Sequence, residues 1–311
     1  FLSVPDFSQR DPLPTQHDPH LCFLPRPVDN SGGGQVWIPA GKWGPLGGRM
    51  YHLSYGTASM YEVLMEDVKG VMQGGVTKVP VQFDTGVMRA RFSESDNALY
   101  VAGLKGWQTS GSKDGGLSRL RYTGKAHRSP SGLKVTNRGM HIQFDVPVDR
   151  ETAGNPDNYS IEQYNYRWTG NYGSKDYKVS NPEELGRDTV EIDGVAISED
   201  GKSVFLAIPG LKPVMQSEVT MRFKLASGEP VTERIWHSIN GVTEETGPEP
   251  VINRGPNRGQ VHRTNGAGVA LKLKAGGREE VSKDRLVALH VPEGAPVSVS
   301  YTHLRAHETR E

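Results

Sequence analysis

The sequence predicts an all-β fold, and three observations carry that expectation. Short runs alternate apolar with polar residues: Met140, Ile142, Phe144 and Val146 are interleaved with His141, Gln143 and Asp145. That is the period of a strand with one buried face. Turn-forming residues punctuate the runs, with 37 glycines and 21 prolines in 311 residues, as hairpins require. Finally, only 35 % of residues are hydrophobic and the mean hydropathy is −0.55, unlike long-helix proteins rich in Ala, Leu, Glu and Lys. No run approaches the ~20 apolar residues of a membrane-spanning helix. The 36 basic residues balance 36 acidic ones without a basic tract, so there is no electrostatic case for nucleic acid or anionic lipid.

At ~100–200 residues per domain, the length predicts two domains and room for a further piece. Strands are expected at 21–24, 35–38, 50–55, 60–65, 87–92, 99–104 and 117–122, each bounded by Gly, Pro, Asn, Asp or Ser. Ser95-Asp-Asn97 turns one strand into the next, and Gly115-Gly116 opens another. Strand, polar turn, strand, long loop, strand is the rhythm of a propeller blade. At about 40–45 residues per blade, residues 1–126 hold two or three, fewer than a closed propeller needs. The expectation is the closing blades of an incomplete β-propeller. Trp37, Trp43 and Trp107 lie near its Gly-rich loops, as candidates for the propeller face or for core packing. Arg89 and Arg91 share one strand face. Their guanidinium groups could meet an anionic ligand in a central channel or pair with carboxylates between blades.

Residues 127–243 read as an Ig-like β-sandwich. Val204, Leu206 and Ile208 share one face of a strand, and Val219, Met221, Phe223 and Leu225 share one face of another. The turn at Pro209-Gly-Leu-Lys-Pro213 is expected to connect them, and Glu199-Asp-Gly-Lys202 to make the preceding hairpin. About seven strands in ~110 residues fit that architecture. Trp236 and His237, in the last strand, are expected to cap the core edge. Residues 244–260 read as a Gly/Pro linker, and 261–298 as the truncated start of a further β-sandwich. Residues 299–311 resemble a translated sequencing adapter and are expected to be non-native, which discounts His303 and His307 as ligands.

Chemistry-bearing motifs are sparse. Cys22 is the one cysteine, so neither an internal disulfide nor a thiolate zinc cluster can form. His17-Asp-Pro-His20 is broken by Pro19 and lacks the same-face spacing of a helical metal pair. No metal site is expected. Ser110-Gly-Ser-Lys113 matches Ser-x-x-Lys by chance in a Gly-rich loop, and no Gly-x-Ser-x-Gly elbow occurs. The strongest local feature is an aromatic insertion. Tyr164, Tyr166, Trp168, Tyr172 and Tyr177 fall within fourteen residues, beside Asn165, Arg167 and Asn171. Flat faces with polar tips suit interfaces, so the insertion either docks the sandwich against the propeller or stacks on a sugar ring.

Several stretches carry a family resemblance: Asp29-Asn-Ser-Gly-Gly-Gly-Gln-Val-Trp37, Trp43-Gly-Pro45, Met72-Gln-Gly-Gly75, Gly86-Val-Met-Arg-Ala-Arg-Phe92, Gly103-Leu-Lys-Gly-Trp-Gln-Thr109 and Gly115-Gly-Leu-Ser-Arg-Leu-Arg-Tyr-Thr-Gly124. Together they resemble the closing blades in large exported multidomain bacterial proteins whose propellers are similar to soluble sugar dehydrogenases. Glu162 to Tyr177, Gly186-Arg-Asp-Thr-Val190 and Leu211-Lys-Pro-Val-Met215 look like their Ig-like domain. Arg285-Leu-Val-Ala-Leu-His-Val-Pro292 looks like the opening of a protective-antigen-type sandwich. The resemblance implies a periplasmic or extracellular protein, with pyrroloquinoline quinone and calcium as cofactors of the full-length parent. It also implies a cytochrome c domain elsewhere, although no Cys-x-x-Cys-His motif lies in this chain. As given, the chain reads as a non-catalytic joint whose partners are its own propeller, downstream domains and a glycan. The alternative is part of a quinone-dependent sugar or alcohol dehydrogenase.

Overall fold

The computed structural model describes residues 19–167, 169, 173–246 and 250–255. The expectations for 261–298 and 299–311, and for Trp168 and Tyr172, lie outside the described residues. The chain divides into two compact units, Phe1–Arg254 and Gly255–Glu311, and the architecture below is that of the first.

It is all-β, in antiparallel sheets with no closed barrel among the described residues. The first strands are β1 (Gly32–Trp37), β2 (Met50–Ser54), β3 (Ser59–Val68), β4 (Val71–Gln82), β5 (Gly86–Ser93), β6 (Ala98–Leu104) and β7 (Gly115–Leu120). Then come β8 (Pro130–Thr136), β9 (Gly139–Phe144), a one-turn helix α1 (Arg150–Ala153), β10 (Tyr159–Tyr164), β11 (Asp188–Val190) and β12 (Gly194–Ile197). The last are β13 (Ser203–Ala207), β14 (Val214–Lys224) and β15 (Pro230–Ile239). An eight-stranded sheet runs β1-β2-β3-β4-β15-β14-β10-β11, a four-stranded sheet β12-β13-β9-β8, and a three-stranded sheet β5-β6-β7.

Alternation places the cores. Leu133, Met140, Ile142, Val195, Val204 and Leu206 of the four-stranded sheet face Ile161, Val219, Met221, Phe223 and Ile235 of the large one. Phe144 meets Phe223 edge-on at 5.6 Å across that layer. A second core joins Val36, Tyr51, Leu53 and Met60 to Val87, Ala90, Leu99 and Val101. A third, of Val28, Tyr61, Val63 and Val76, lies where residues 21–31 cross the large sheet. Strand β3 therefore supplies Met60, Leu64 and Tyr61 to three different cores.

Three expectations need correction. Residues 21–24 are not a ladder strand; Phe23 N–H donates to Ser238 Oγ at 2.8 Å and Asn240 Nδ2 to His20 O at 2.7 Å. Pro25 and Pro27 cannot donate to a ladder, so the segment lies as a strap. Strand β4 was not anticipated, because Gly74, Gly75 and Pro80 break its pattern. His237 does not cap an edge: β15 is an interior strand, with His237 opposite Gly75 of β4 and 0 % exposed. The turns at Ser95–Asn97, Glu199–Lys202 and Pro209–Pro213 form where the sequence places them, with Asn97, Gly201 and Gly210 at positive φ.

Candidate functional site

The region of densest polar contact is where β2, β3 and β4 meet β8, β9 and β15. Arg49, just before β2, reaches two carboxylates. Its Nη1 donates to Glu62 Oε1 at 2.6 Å, and its Nη2 donates to both oxygens of Asp145 at 2.8 Å. His127, in the connector between β7 and β8, completes the set. Its Nδ1 donates to Asp145 Oδ2 at 2.7 Å, and its Nε2 lies 3.0 Å from Glu62 Oε2. Two cations thus neutralise two carboxylates, the arrangement a poorly hydrated charge cluster requires. The Glu62 side chain is only 2 % exposed. Burial of the imidazole opposes its charge, but the hydrogen bonds to Asp145 and Glu62 prevail and push its pKa up to about 9. Burial opposes ionisation of Asp145 too, yet His127 and Arg49 hold it below the usual carboxylate range.

Further contacts tie the same elements. Gly74, Gly75, Val76 and Thr77 of β4 pair with Ser238, His237, Trp236 and Ile235 of β15. Glu66 of β3 accepts from Val135 N–H at 3.1 Å and from Gln73 Nε2 at 2.9 Å. Gln73 Oε1 in turn accepts from the backbone N–H groups of Asn240 (2.8 Å) and Gly241 (2.9 Å). Ser129 Oγ and Thr77 Oγ1 donate to Glu233 at 2.9 and 3.3 Å. Burial raises the pKa values of both Glu66 and Glu233.

The described part of the aromatic insertion packs against protein. Tyr164 is fully buried, its hydroxyl donates to Glu218 Oε1 at 2.6 Å, and the Arg187 guanidinium covers its ring at 4.1 Å. Burial, then the bond to Glu218, drive the phenol's pKa far up. Arg187 also binds Asp176 at 2.8 Å and Glu218 at 3.1 Å. Tyr166 donates to Gln216 Oε1 at 3.2 Å and its ring meets Phe23 of the strap at 5.3 Å. Arg167 lies 4.3 Å over the Tyr177 ring and pairs with Glu183 at 2.6 Å. Phe23, Asn165, Tyr166, Tyr177 and Met215 line a groove of about 420 Å³.

The other sequence candidates are dispersed. Trp43 is buried, its Nε1 donating to Asn97 O at 2.9 Å, whereas Trp37 is half exposed and Trp107 is 74 % exposed. Arg89 and Arg91 are exposed on β5, in register with Ala102 and Tyr100 of β6. Neither forms an ion pair among the described residues; each donates to a neighbouring carbonyl, Met88 O and Ala90 O respectively. Among the described residues no group of three or more His, Cys, Asp or Glu could hold a metal ion, and no helix is long and apolar enough to cross a membrane. Burial raises the Cys22 thiol to about 12, which disfavours the reactive thiolate.

Sequence reasoning missed Arg49, Glu62, His127 and Asp145, which lie far apart in the chain and match no motif. It also missed the trio of Asp29, His52 and Ser54, with Gln35 behind the imidazole. Gln35 Nε2 donates to His52 Nδ1 at 3.2 Å, His52 Nε2 donates to Asp29 Oδ2 at 2.5 Å, and Ser54 Oγ donates to Asp29 Oδ1 at 2.6 Å. Because the hydroxyl bonds to the carboxylate and not to the imidazole, the trio is no nucleophile–base relay. It anchors the strap instead. Comparison with known families, curated proteins and solved structures gives no match of any of the three kinds.

Proposed function

We propose that this chain is a stiff, non-catalytic joint between a propeller-type unit and an Ig-like sandwich in an exported multidomain protein. The single observation that carries the reading is the β4–β15 pairing, sealed by the Arg49–Glu62–His127–Asp145 cluster. A flexible tether would leave both surfaces to water; here a ladder and a neutralised charge cluster fix one angle. The antiparallel meander β1–β4 and the three-stranded β5–β7 support two closing blades. The two facing sheets built from β8–β15 support the sandwich. The contact of Tyr166 with Phe23 supports docking over sugar stacking for the described part of the insertion.

Native-state hydrogen exchange tests the joint. The amides of β4 and β15 should open together, with the free energy of the β14–β15 ladder. Exchange of β1–β4 through a separate, lower-energy opening would refute it.

A second reading, a quinone-dependent sugar or alcohol dehydrogenase parent, is favoured by the unpaired Arg89 and Arg91. Each retains donors after its carbonyl bond, which suits the carboxylates of pyrroloquinoline quinone. On this reading the two arginines would hold the cofactor's anionic edge, and the quinone, when bound, would supply the oxidising chemistry. Titration of the chain with pyrroloquinoline quinone should show saturable binding that Arg89→Ala and Arg91→Ala each weaken. No binding, or equal binding by the variants, removes this reading.

A further inference from the structure

Strand β7 is the outer edge of its sheet, and the common devices that keep such an edge from pairing are missing from it. The sheet order is β5-β6-β7, so among the described strands only β6 pairs with it. That ladder runs from Leu99↔Leu120 to Leu104↔Gly115 without a register shift. The strand itself, Gly115–Leu120, holds neither proline nor lysine. An edge strand presents a row of backbone N–H and C=O groups to any extended chain that arrives, unless proline, lysine, a bulge or a covering element blocks it.

The side chains beside that edge are apolar or basic. Leu99, Val101 and Leu120 turn inward to a core, so the residues that alternate with them face out. These form cross-strand rows: Arg91, Tyr100 and Arg119 in one, and Arg89, Ala102 and Leu117 in the next. Leu104 lies opposite Gly115 at the far end. Leu117 is 70 % exposed and Leu104 44 %, and the exposed Arg121 continues the alternation just past β7. The nearby carboxylate, Asp96, is already engaged, accepting from Tyr100 Oη at 2.8 Å and pairing with Arg119 at 2.7 Å. None of the described ion pairs includes Arg89, Arg91 or Arg121. Residues 86–125 hold seven basic and three acidic residues, in a chain whose formal charge is zero.

An open ladder, an apolar stripe and unpaired arginines together select an extended acidic peptide. A single-stranded nucleic acid would need aromatic planes for its bases. Tyr100, the aromatic of these rows, has its hydroxyl on Asp96 and the Arg119 guanidinium 5.9 Å from its ring.

We propose that β7 is a docking edge for an extended acidic segment of a partner protein, which adds antiparallel to it as a further strand. Main-chain hydrogen bonds give such a strand its affinity, and alternate side chains give it specificity. Its carboxylates lie opposite Arg119 and Arg121, at the ~4.5–5.5 Å Cβ spacing of cross-strand pairs. One apolar side chain covers Leu117. Another folds toward Leu104 over Gly115, where a Cβ position has nothing within 4 Å. Arg89 and Arg91 lie two strands behind β7, at ~4.8 Å per strand, so they attract the segment at a distance and do not touch it.

Fluorescence anisotropy of the full chain with the N-terminally labelled peptide Glu-Val-Glu-Thr-Ile-Val-Phe provides the test. Saturable binding is expected, weakening as salt rises, and replacing both glutamates by lysine should abolish it. Two further peptides, N-methylated on one or the other alternate set of amides, leave the chain itself untouched. The set that faces β7 should cost about tenfold or more in affinity, and the set that faces solvent should cost little. Arg121→Glu should weaken binding about tenfold or more, and, because Arg121 is exposed, it should melt with the parent. Arg89→Glu combined with Arg91→Glu should slow association and flatten the salt dependence, with little change in dissociation. Failure of the acidic peptide to bind overturns the proposal, as does an equal effect of the two N-methylated sets. Tighter binding of a single-stranded oligonucleotide than of the peptide overturns it too, and so does a dimer of this chain that the peptide does not dissociate.

Discussion

Arg49 and Asp145 meet through two hydrogen bonds of 2.8 Å across 96 residues of sequence. Arg49 directly precedes β2 and Asp145 directly follows β9, so one fork of donors joins a strand of the large sheet to a strand of the facing sheet. Glu62 and His127 close the set into a neutral cluster.

Arg49→Ala leaves Glu62 and Asp145 with His127 as their sole close cation among the contacts described. Breaking a buried pair by removing one partner costs about 3–5 kcal/mol; because the Arg49 side chain is 17 % exposed, the lower end applies. Urea unfolding should show a loss of about 3 kcal/mol. Arg49→Lys should lose a substantial part of it, since an ammonium cannot reproduce the fork. A loss within about 0.5 kcal/mol, as at ordinary surface sites, would show that the cluster carries no strain-bearing role.

His127 and His237 predict opposite pH limbs. His127, raised to about 9 when folded, stabilises fully below its unfolded pKa of about 6.5; that contribution is lost as pH rises through 9. His237 lies in the sheet interior without a hydrogen-bonded side-chain partner among the described residues, and burial lowers it to about 4. It favours folding above pH ~6.5 and penalises it increasingly as pH falls toward 4. The raised carboxyls of Glu66 and Glu233 act in the opposite sense on the acid side. Unfolding free energies measured from pH 4 to 10 should fall above pH ~7. His127→Gln should shrink the alkaline limb, to which the raised Cys22 thiol also contributes above pH ~8.5, and His237→Leu should shrink the acid limb.

Gly75→Ala tests the close approach of β4 to β15. A Cβ there would stand 2.4 Å from the His237 Cβ and 2.5 Å from Trp236 O. Both are parts of a packed strand, so relief requires the ladder to move, at a cost of about 1–3 kcal/mol. Gly115→Ala, in β7, meets nothing within 4 Å and should leave thermal unfolding within about 0.5 kcal/mol of the parent.

Tyr164→Phe tests whether the insertion is structural. It removes a 2.6 Å bond to Glu218, which keeps Arg187 as a partner at 3.1 Å, and should cost about 1–2 kcal/mol. Arg187→Ala uncovers the Tyr164 ring and strips Glu218 of that cation, so its loss should be larger. Denaturant titration of both variants checks the order; an Arg187→Ala effect smaller than that of Tyr164→Phe would contradict it.

The all-β class and most hairpins were legible because period-two alternation and turn residues are local signals. Met140, Ile142 and Phe144 face the core as their spacing predicts, each at most 4 % exposed. Strand β4 was not legible, because Gly74 and Gly75 read as turn residues. Their lack of side chains instead admits Leu64 O on one side and His237 on the other, a reason visible only once the neighbouring strands are known. The same holds for Arg49, Glu62, His127 and Asp145: each is an ordinary polar residue in its own segment, and pairing across sheets makes them a unit. Among the aromatic residues of the insertion, composition marks an unusual patch. It could not tell that Arg187, outside the run, covers Tyr164.

Differential scanning calorimetry of the full chain tests most directly the proposal that the strands β1–β7 and β8–β15 form one stiff joint. A single transition is expected for the strands from β1 to β15, with a ratio of calorimetric to van 't Hoff enthalpy of about 1, shifted downward as a whole by Arg49→Ala. Two resolved transitions, with Arg49→Ala moving only one of them, would contradict it.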